Sequence, residues 1–333
     1  MSIDESELRR QICAHSLGHS AYHVWAQQAR RERRYTIARL LEAASNVKRI
    51  KAEVALRSLG EVGSTIDNIQ RALAGLEPET VATGPITGTS LLSRELMGRA
   101  LRALGENRDL TADELGDLYV CGTCGNLMEG ESPSVCALCD TVREGFIGFR
   151  AAESMGVLGP QSIMKYLDRA EITLRALVAD LDDDLLIRHV DGHHSLKELI
   201  GHLTDMDAVF RNRAWLILET QNPELPTAHP PTLAKASIYR HQLIGDLLDS
   251  YHTSRQQTIN LLRGLTIAAW HRTGHHQIFG LIPLTHQGNW VVSHEKAHLV
   301  EMAQVRHDLL SGHNDLAPVS IPRPLGPEVL EGE

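Results

Sequence analysis

One short stretch, Tyr119 to Asp140, holds four of the chain's five cysteines in two C-x-x-C pairs, Cys121 with Cys124 and Cys136 with Cys139. The turn inside each pair points both sulfurs to one side. The residues between the pairs, with Gly125, Gly130 and Pro133, can fold back as a short hairpin. Two such hooks facing each other make a tetrahedral sulfur cage suited to zinc or to a single iron. Disulfides are the other use of paired cysteines. The opening MSIDESELRR has no apolar signal region, however, so a reducing cytoplasm is expected and metal is favoured.

The stretch resembles the rubredoxin-like knuckle that ends rubrerythrins. The likeness rests on Tyr119 before the first cysteine, Gly122 and Gly125 after the first two, the turn Glu129, Gly130, Pro133, and Phe146 or Phe149 beyond. It implies one iron carrying a single electron. Ala137 departs from the pattern, where many members have proline, and sulfur donors alone leave iron and zinc both open.

A second group of donors lies far downstream. His294 and His298, in SHEKAH, are four apart, so on a helix both rings leave one face and can share a metal. His202, in ELIGHLTDMD, can bring a third nitrogen from another helix. H-E-x-x-H is also the zinc protease signature with Glu295 as base, but no downstream partner of that pattern is present. Glu295 projects about 100° from His294, so it is expected to support a ligand or face solvent. His193, His194, His275 and His276 are read as loop histidines, at the surface or contacting ligands.

These residues resemble the DinB-like (YfiT-like) four-helix superfamily from about Gln161 to Gly312, through SLKELIGHL, the segment Trp270 to Gly280, and HEKAHL. The resemblance implies a divalent metal, zinc or nickel foremost, on His202, His294 and His298. It also implies attachment or isomerisation of low-molecular-weight thiols in some members. Three neutral imidazoles leave a fourth position where water or thiol becomes a nucleophile at neutral pH.

Such groups need helices to position them. Aromatics are only 4% of the chain and hydrophobics 42%, with Leu and Ala dominant, a balance that fits helix on helix better than sheets. No apolar run nears the roughly 20 residues that span a bilayer, so no membrane partner is expected. The net charge of −9 is uneven: residues 1–105 carry 15 Lys and Arg against 11 Asp and Glu, near +4, which leaves the remainder near −13. That split is too mild for nucleic acid.

Glu5 to Leu59 reads as two long helices without proline, followed by shorter ones at Ile66 to Leu73 and Leu91 to Leu104, with a VATGPITGTS loop between. Ser16, Tyr22, Gln28, Ala29, Ile37 to Ala38, and Glu42 to Ala44 with Asn46 also resemble rubrerythrin. There the family's metal-binding Glu, Glu and His fall on His15, Val47 and Ile50. Glu79 and Glu95 remain in the second half, but the partner of Glu95 is Gly98. The implied object is a ferritin-like bundle without its oxidase site, kept as scaffold or homodimer surface. Arg30, Arg31, Arg33 and Arg34 read as a solvated helix end, and Cys13 as a small buried residue.

After Gly156, Gly159 and Pro160 come helices at Ile163 to Leu181, Ser195 to Glu219 with a capping box, Leu233 to Leu265, and Trp290 to Leu310. Asn222 to Pro231 is a proline-rich loop and the end of the chain a tail.

The expected fold is mainly α: a degenerate ferritin-like bundle over 1–105, a four-cysteine knuckle with short β hairpins over 116–150, a DinB-like four-helix bundle over 160–312, and a mobile tail over 313–333. The expected function is a metal-dependent thiol transferase or hydrolase acting on a small molecule or low-molecular-weight thiol. The other readings are a rubredoxin-like electron-transfer protein with a redox partner, and a metal-stabilised scaffold without chemistry.

Overall fold

The computed structural model describes residues 4–75, 89–190, 193–226 and 236–311. Most of the VATGPITGTS loop, Glu79, the end of the proline-rich loop and the tail lie outside them. The chain divides into two compact units after Arg108.

In the first unit, α1 (Glu5–Arg31) and α2 (Tyr35–Ser58) pack along each other, and α3 (Thr65–Gly75) packs on α4 (Thr89–Gly105). Asp4 caps α1 by accepting from the Ser6 N–H. The seam between α1 and α2 is made of small residues, Ala26, Ala29, Ala38, Ser45 and Ala55, which let the helices approach closely. His19 Nδ1 lies 2.8 Å from Ser45 Oγ across it. Larger apolar groups on α2, Ile37, Leu40, Val47, Ile50 and Val54, are exposed. Cys13, expected to be buried, is exposed instead, because it lies outside the seam. Glu95 pairs with Arg99 at the surface of α4.

The second unit begins with a three-stranded antiparallel sheet of order β2-β1-β3, built from β1 (Leu118–Cys121), β2 (Leu127–Glu129) and β3 (Phe146–Phe149). Four long helices follow: α5 (Pro160–Val178), α6 (Leu196–Glu219), α7 (Ile244–Leu262) and α8 (Leu284–Leu310). Each packs on two others, α5 and α6 both touching α7 and α8, which is a four-helix bundle. The capping box is present at α6: the Ser195 N–H donates to Glu198 Oε2 at 2.9 Å, and the Glu198 N–H donates to Ser195 Oγ.

Two apolar clusters fill the bundle. One is centred on Leu174, Leu199, Leu203, Tyr251 and Met302, the other on Ile163, Leu167, Phe210, Ile217 and Val292. Buried charge also sits in this interior. Arg255 of α7 donates to both oxygens of Glu295 of α8 at 3.0 and 2.8 Å, and its Nε lies 3.3 Å from Asp207 of α6. Tyr251 donates to Glu295 as well.

Three readings of the bundle change. The helix expected from Leu233 begins at Ile244, after a 3-10 turn over Ala236–His241. The last helix starts at Leu284, six residues before Trp290, and its first turns include Gly288. A Cβ there would meet Ile163 Cδ1 at 3.0 Å, so this glycine serves close helix packing rather than marking a loop. Finally, His275 and His276 are not in a loop. They lie on β4 (Thr273–His276), which pairs antiparallel with β5 (Gly280–Pro283), and His276 is buried.

Two candidate metal centres

The four cysteine sulfurs converge in the knuckle, all within 4.8 Å of one another. Cys121 Sγ is 3.5 Å from Cys139 Sγ and Cys124 Sγ is 3.7 Å from Cys136 Sγ. These separations are far beyond a disulfide bond. They are close to the edge of about 3.8 Å that a tetrahedron with metal–sulfur distances of about 2.3 Å requires.

The two hooks repeat one backbone pattern fifteen residues apart. The Cys121 N–H donates to Asn126 O and the Cys136 N–H to Thr141 O; the Gly125 N–H donates to Cys121 O and the Asp140 N–H to Cys136 O. Gly125 and Asp140, each following the second cysteine of its pair, both take positive φ, 77° and 57°. Glycine suits this conformation and Asp tolerates it, which is how two different sequences build the same hook.

The hooks also aim N–H groups at sulfur. Burial raises the Cys121 thiol, but the N–H groups of Cys124 and Thr123 outweigh it and bring it down to about 6. For Cys124 the Asn126 N–H pulls downward, yet burial and the neighbouring sulfurs push it up to about 12.

The second centre joins α6 to α8. His202, His294 and His298 each offer a nitrogen within 4.8 Å of the others, and the Nε2 atoms of His202 and His294 are 3.3 Å apart. Two nitrogens held about 2.05 Å from a tetrahedral zinc are separated by about 3.4 Å, so this donor set fits such an ion. Burial first, and then the neighbouring imidazoles, lower His202 to about 4 and His294 to about 3. Both rings are therefore neutral at pH 7, the form that donates a lone pair.

His298 Nδ1 lies 2.8 Å from Glu301 Oε2, so Nδ1 carries the proton and Nε2 keeps its lone pair for the centre. The other oxygen of Glu301 is 3.1 Å from His193 Nδ1. Burial disfavours the charge on Glu301, but its bonds to His298 and His193 outweigh that and hold its carboxyl below the usual range. The sequence reading missed Glu301, although its spacing of three from His298 on a helix is a visible signal. Trp290, one turn before His294, stacks on it with ring centroids 5.6 Å apart.

Glu295 requires a correction. It is buried rather than solvent-facing, and the 100° step from His294 turns it toward α7, where Arg255 and Tyr251 bind it. A carboxylate so engaged is not poised as the base of an H-E-x-x-H protease.

No curated protein matches the chain in sequence. Among solved structures, YfiT from Bacillus subtilis, described as a probable metal-dependent hydrolase with an unusual four-helix bundle topology, is 16% identical, with a TM-score of 0.42 over 48% of this chain and 97% of that one. Residues 166–302 match the model of the DinB superfamily, a span that reaches from α5 into α8 and contains all three histidines of the second centre, so the C-terminal region of the chain carries a DinB-superfamily domain.

Proposed function

We propose that the bundle binds one divalent ion, zinc or nickel, through His202, His294 and His298, and acts as a thiol transferase or hydrolase on a small molecule or low-molecular-weight thiol. The observation that carries this reading is the convergence of three imidazole nitrogens from two helices, with two of them 3.3 Å apart. An ion with three protein donors keeps a coordination position for water or a thiol and makes either one a nucleophile near pH 7.

The chain supplies the setting. Burial keeps His202 and His294 deprotonated, Glu301 fixes the ring of His298, and Trp290 forms a wall beside His294. We assign the knuckle a second ion, zinc or iron, enclosed by four sulfurs and serving structure. An iron tetrathiolate is coloured and reducible, and finding one would favour the rubredoxin-like electron-transfer reading for this part of the chain.

Elemental analysis with visible absorption tests both assignments. The wild type is expected to hold two metals per chain. His202→Ala is expected to hold one, with the knuckle metal retained. Equal metal content in the two proteins would overturn the three-histidine centre.

A further inference from the structure

Three arginines of the bundle are almost fully buried, and they are compensated differently. Arg255 meets the carboxylates of Glu295 and Asp207. Arg306 donates to Leu177 O and Ala179 O at 3.1 and 2.9 Å, at the C-terminal end of α5, where the helix dipole supplies negative charge.

Arg213, 2% exposed, has neither. Its Nε and Nη2 donate to a single acceptor, Pro226 O, at 2.9 and 2.8 Å, and its Nη1 donates to the neutral amide of Gln287 at 3.3 Å. No carboxylate among the described residues pairs with it, and the segment after Pro226, Thr227 to Lys235, contains no Asp or Glu in its sequence. The nearby imidazole of His276 is held neutral by burial first and then by Arg213 itself, which lowers it to about 4. Burial alone brings the Arg213 guanidinium down to about 10, so it stays charged at pH 7. The Trp290 ring, 5.1 Å from Arg213 Cζ, offers only its quadrupole. Two of the five N–H groups of the fork have no acceptor among the described residues.

One shared ring links this cation to the three-histidine centre. Arg213 follows His202 by eleven residues on α6, three turns, and so shares its face. On α8, Gln287, Trp290, His294 and His298 recur at intervals of three and four and share the opposing face. The Trp290 ring touches both Arg213 and the centre, with the guanidinium over it and His294 stacked 5.6 Å away. Trp290 and His294 keep partial exposure, so solvent reaches that part of the row, while Arg213 and Gln287 are closed from it.

We propose that Arg213 receives the carboxylate of a substrate whose reacting end lies at the three-histidine centre, which makes the substrate class a carboxylic acid. The proposal rests on the metal reading given above. A planar fork with unengaged donors matches a carboxylate bidentately, and burial strengthens the bond. Arg213 is then a specificity determinant, remote from the reacting atoms.

Calorimetric titration of the metal-loaded full chain tests this, with ω-mercaptocarboxylic acids from 3-mercaptopropionic to 8-mercaptooctanoic acid set against the matching ω-mercaptoalcohols. At one chain length the acid is expected to bind at least tenfold more tightly than the alcohol. Arg213→Gln is expected to abolish that margin while leaving alcohol affinity and metal content unchanged, and Arg213→Lys to keep part of it. Equal affinities at every length, or an acid margin that survives in Arg213→Gln, overturn the carboxylate site but leave the metal centre standing. Metal-loaded protein that binds neither thiol overturns both. The wild-type comparison needs no variant, so poor folding of Arg213→Gln leaves it decisive together with Arg213→Lys.

Discussion

The two candidate centres solve the same problem, gathering donors around a cation, with opposite geometry. In the knuckle, four sulfurs come from two copies of one local hook, enclosed by their own backbone N–H groups, and no donor position is left over. In the bundle, three nitrogens come from helices far apart in sequence, one is held by a carboxylate, and two of the three rings keep partial exposure. A centre built from local turns can be structural in a segment with little core of its own. A centre built across a bundle borrows its rigidity from the core and can leave a coordination position for a reactant.

The largest expected effect tests whether the knuckle is structural. Cys121→Ser should release the knuckle metal and open residues 118–149 to protease, with a loss on the order of 10 kcal/mol of metal-coupled folding energy for that segment. Elemental analysis and mapping of the cleavage sites are the measurements. The bundle's metal should remain. If that metal is lost as well, the two centres are not independent and the comparison fails.

Next comes the carboxylate between the two histidines of H-E-x-x-H. Glu295→Gln leaves Arg255 buried with a weakened partner and should cost about 3–5 kcal/mol of stability in denaturant unfolding. Metal affinity at the histidines should change by no more than about twofold, because the carboxylate is bound by Arg255 and Tyr251 and by none of the three histidines. Unchanged stability with lost metal would mean that Glu295 serves the centre after all.

What could be read in advance follows the same division between local and distributed. The cysteine hooks were legible because every donor lies within one short stretch, and the pairing of His294 with His298 because four residues make about one turn. His202 needed the further assumption of a bundle, and the helix spans that supply it, such as α6 with its Ser195 and Glu198 box, were read nearly to the residue. The start of α8, expected at Trp290, lies at Leu284, and its first turns hold Gly288, whose packing against Ile163 only the structure shows. The β4–β5 hairpin was missed because T-G-H-H and G-L-I-P are too short to show a period of two. Arg213 gave no signal at all: a buried arginine is recognised by what fails to surround it, and sequence does not show surroundings.

The smallest effect concerns the group that distinguishes the open centre from the closed one, a carboxylate that touches a donor without being one. Glu301 accepts from His298 Nδ1 and so fixes which nitrogen faces the centre. Glu301→Gln can still accept through its amide oxygen but loses the charge that makes the imidazole a better donor. Metal affinity should therefore fall by about 10- to 100-fold in competition with a chelator, with the knuckle metal unaffected. The sign with pH follows from the shift: the carboxyl is held below its usual 4.5, so its contribution is complete above that value and is lost only as the pH falls through the lowered one. Between pH 6 and 8 the ratio of wild-type to variant affinity should stay constant. A ratio that changes across that window would point to a titrating neighbour such as His193, 3.1 Å from the other oxygen, as the source of the effect.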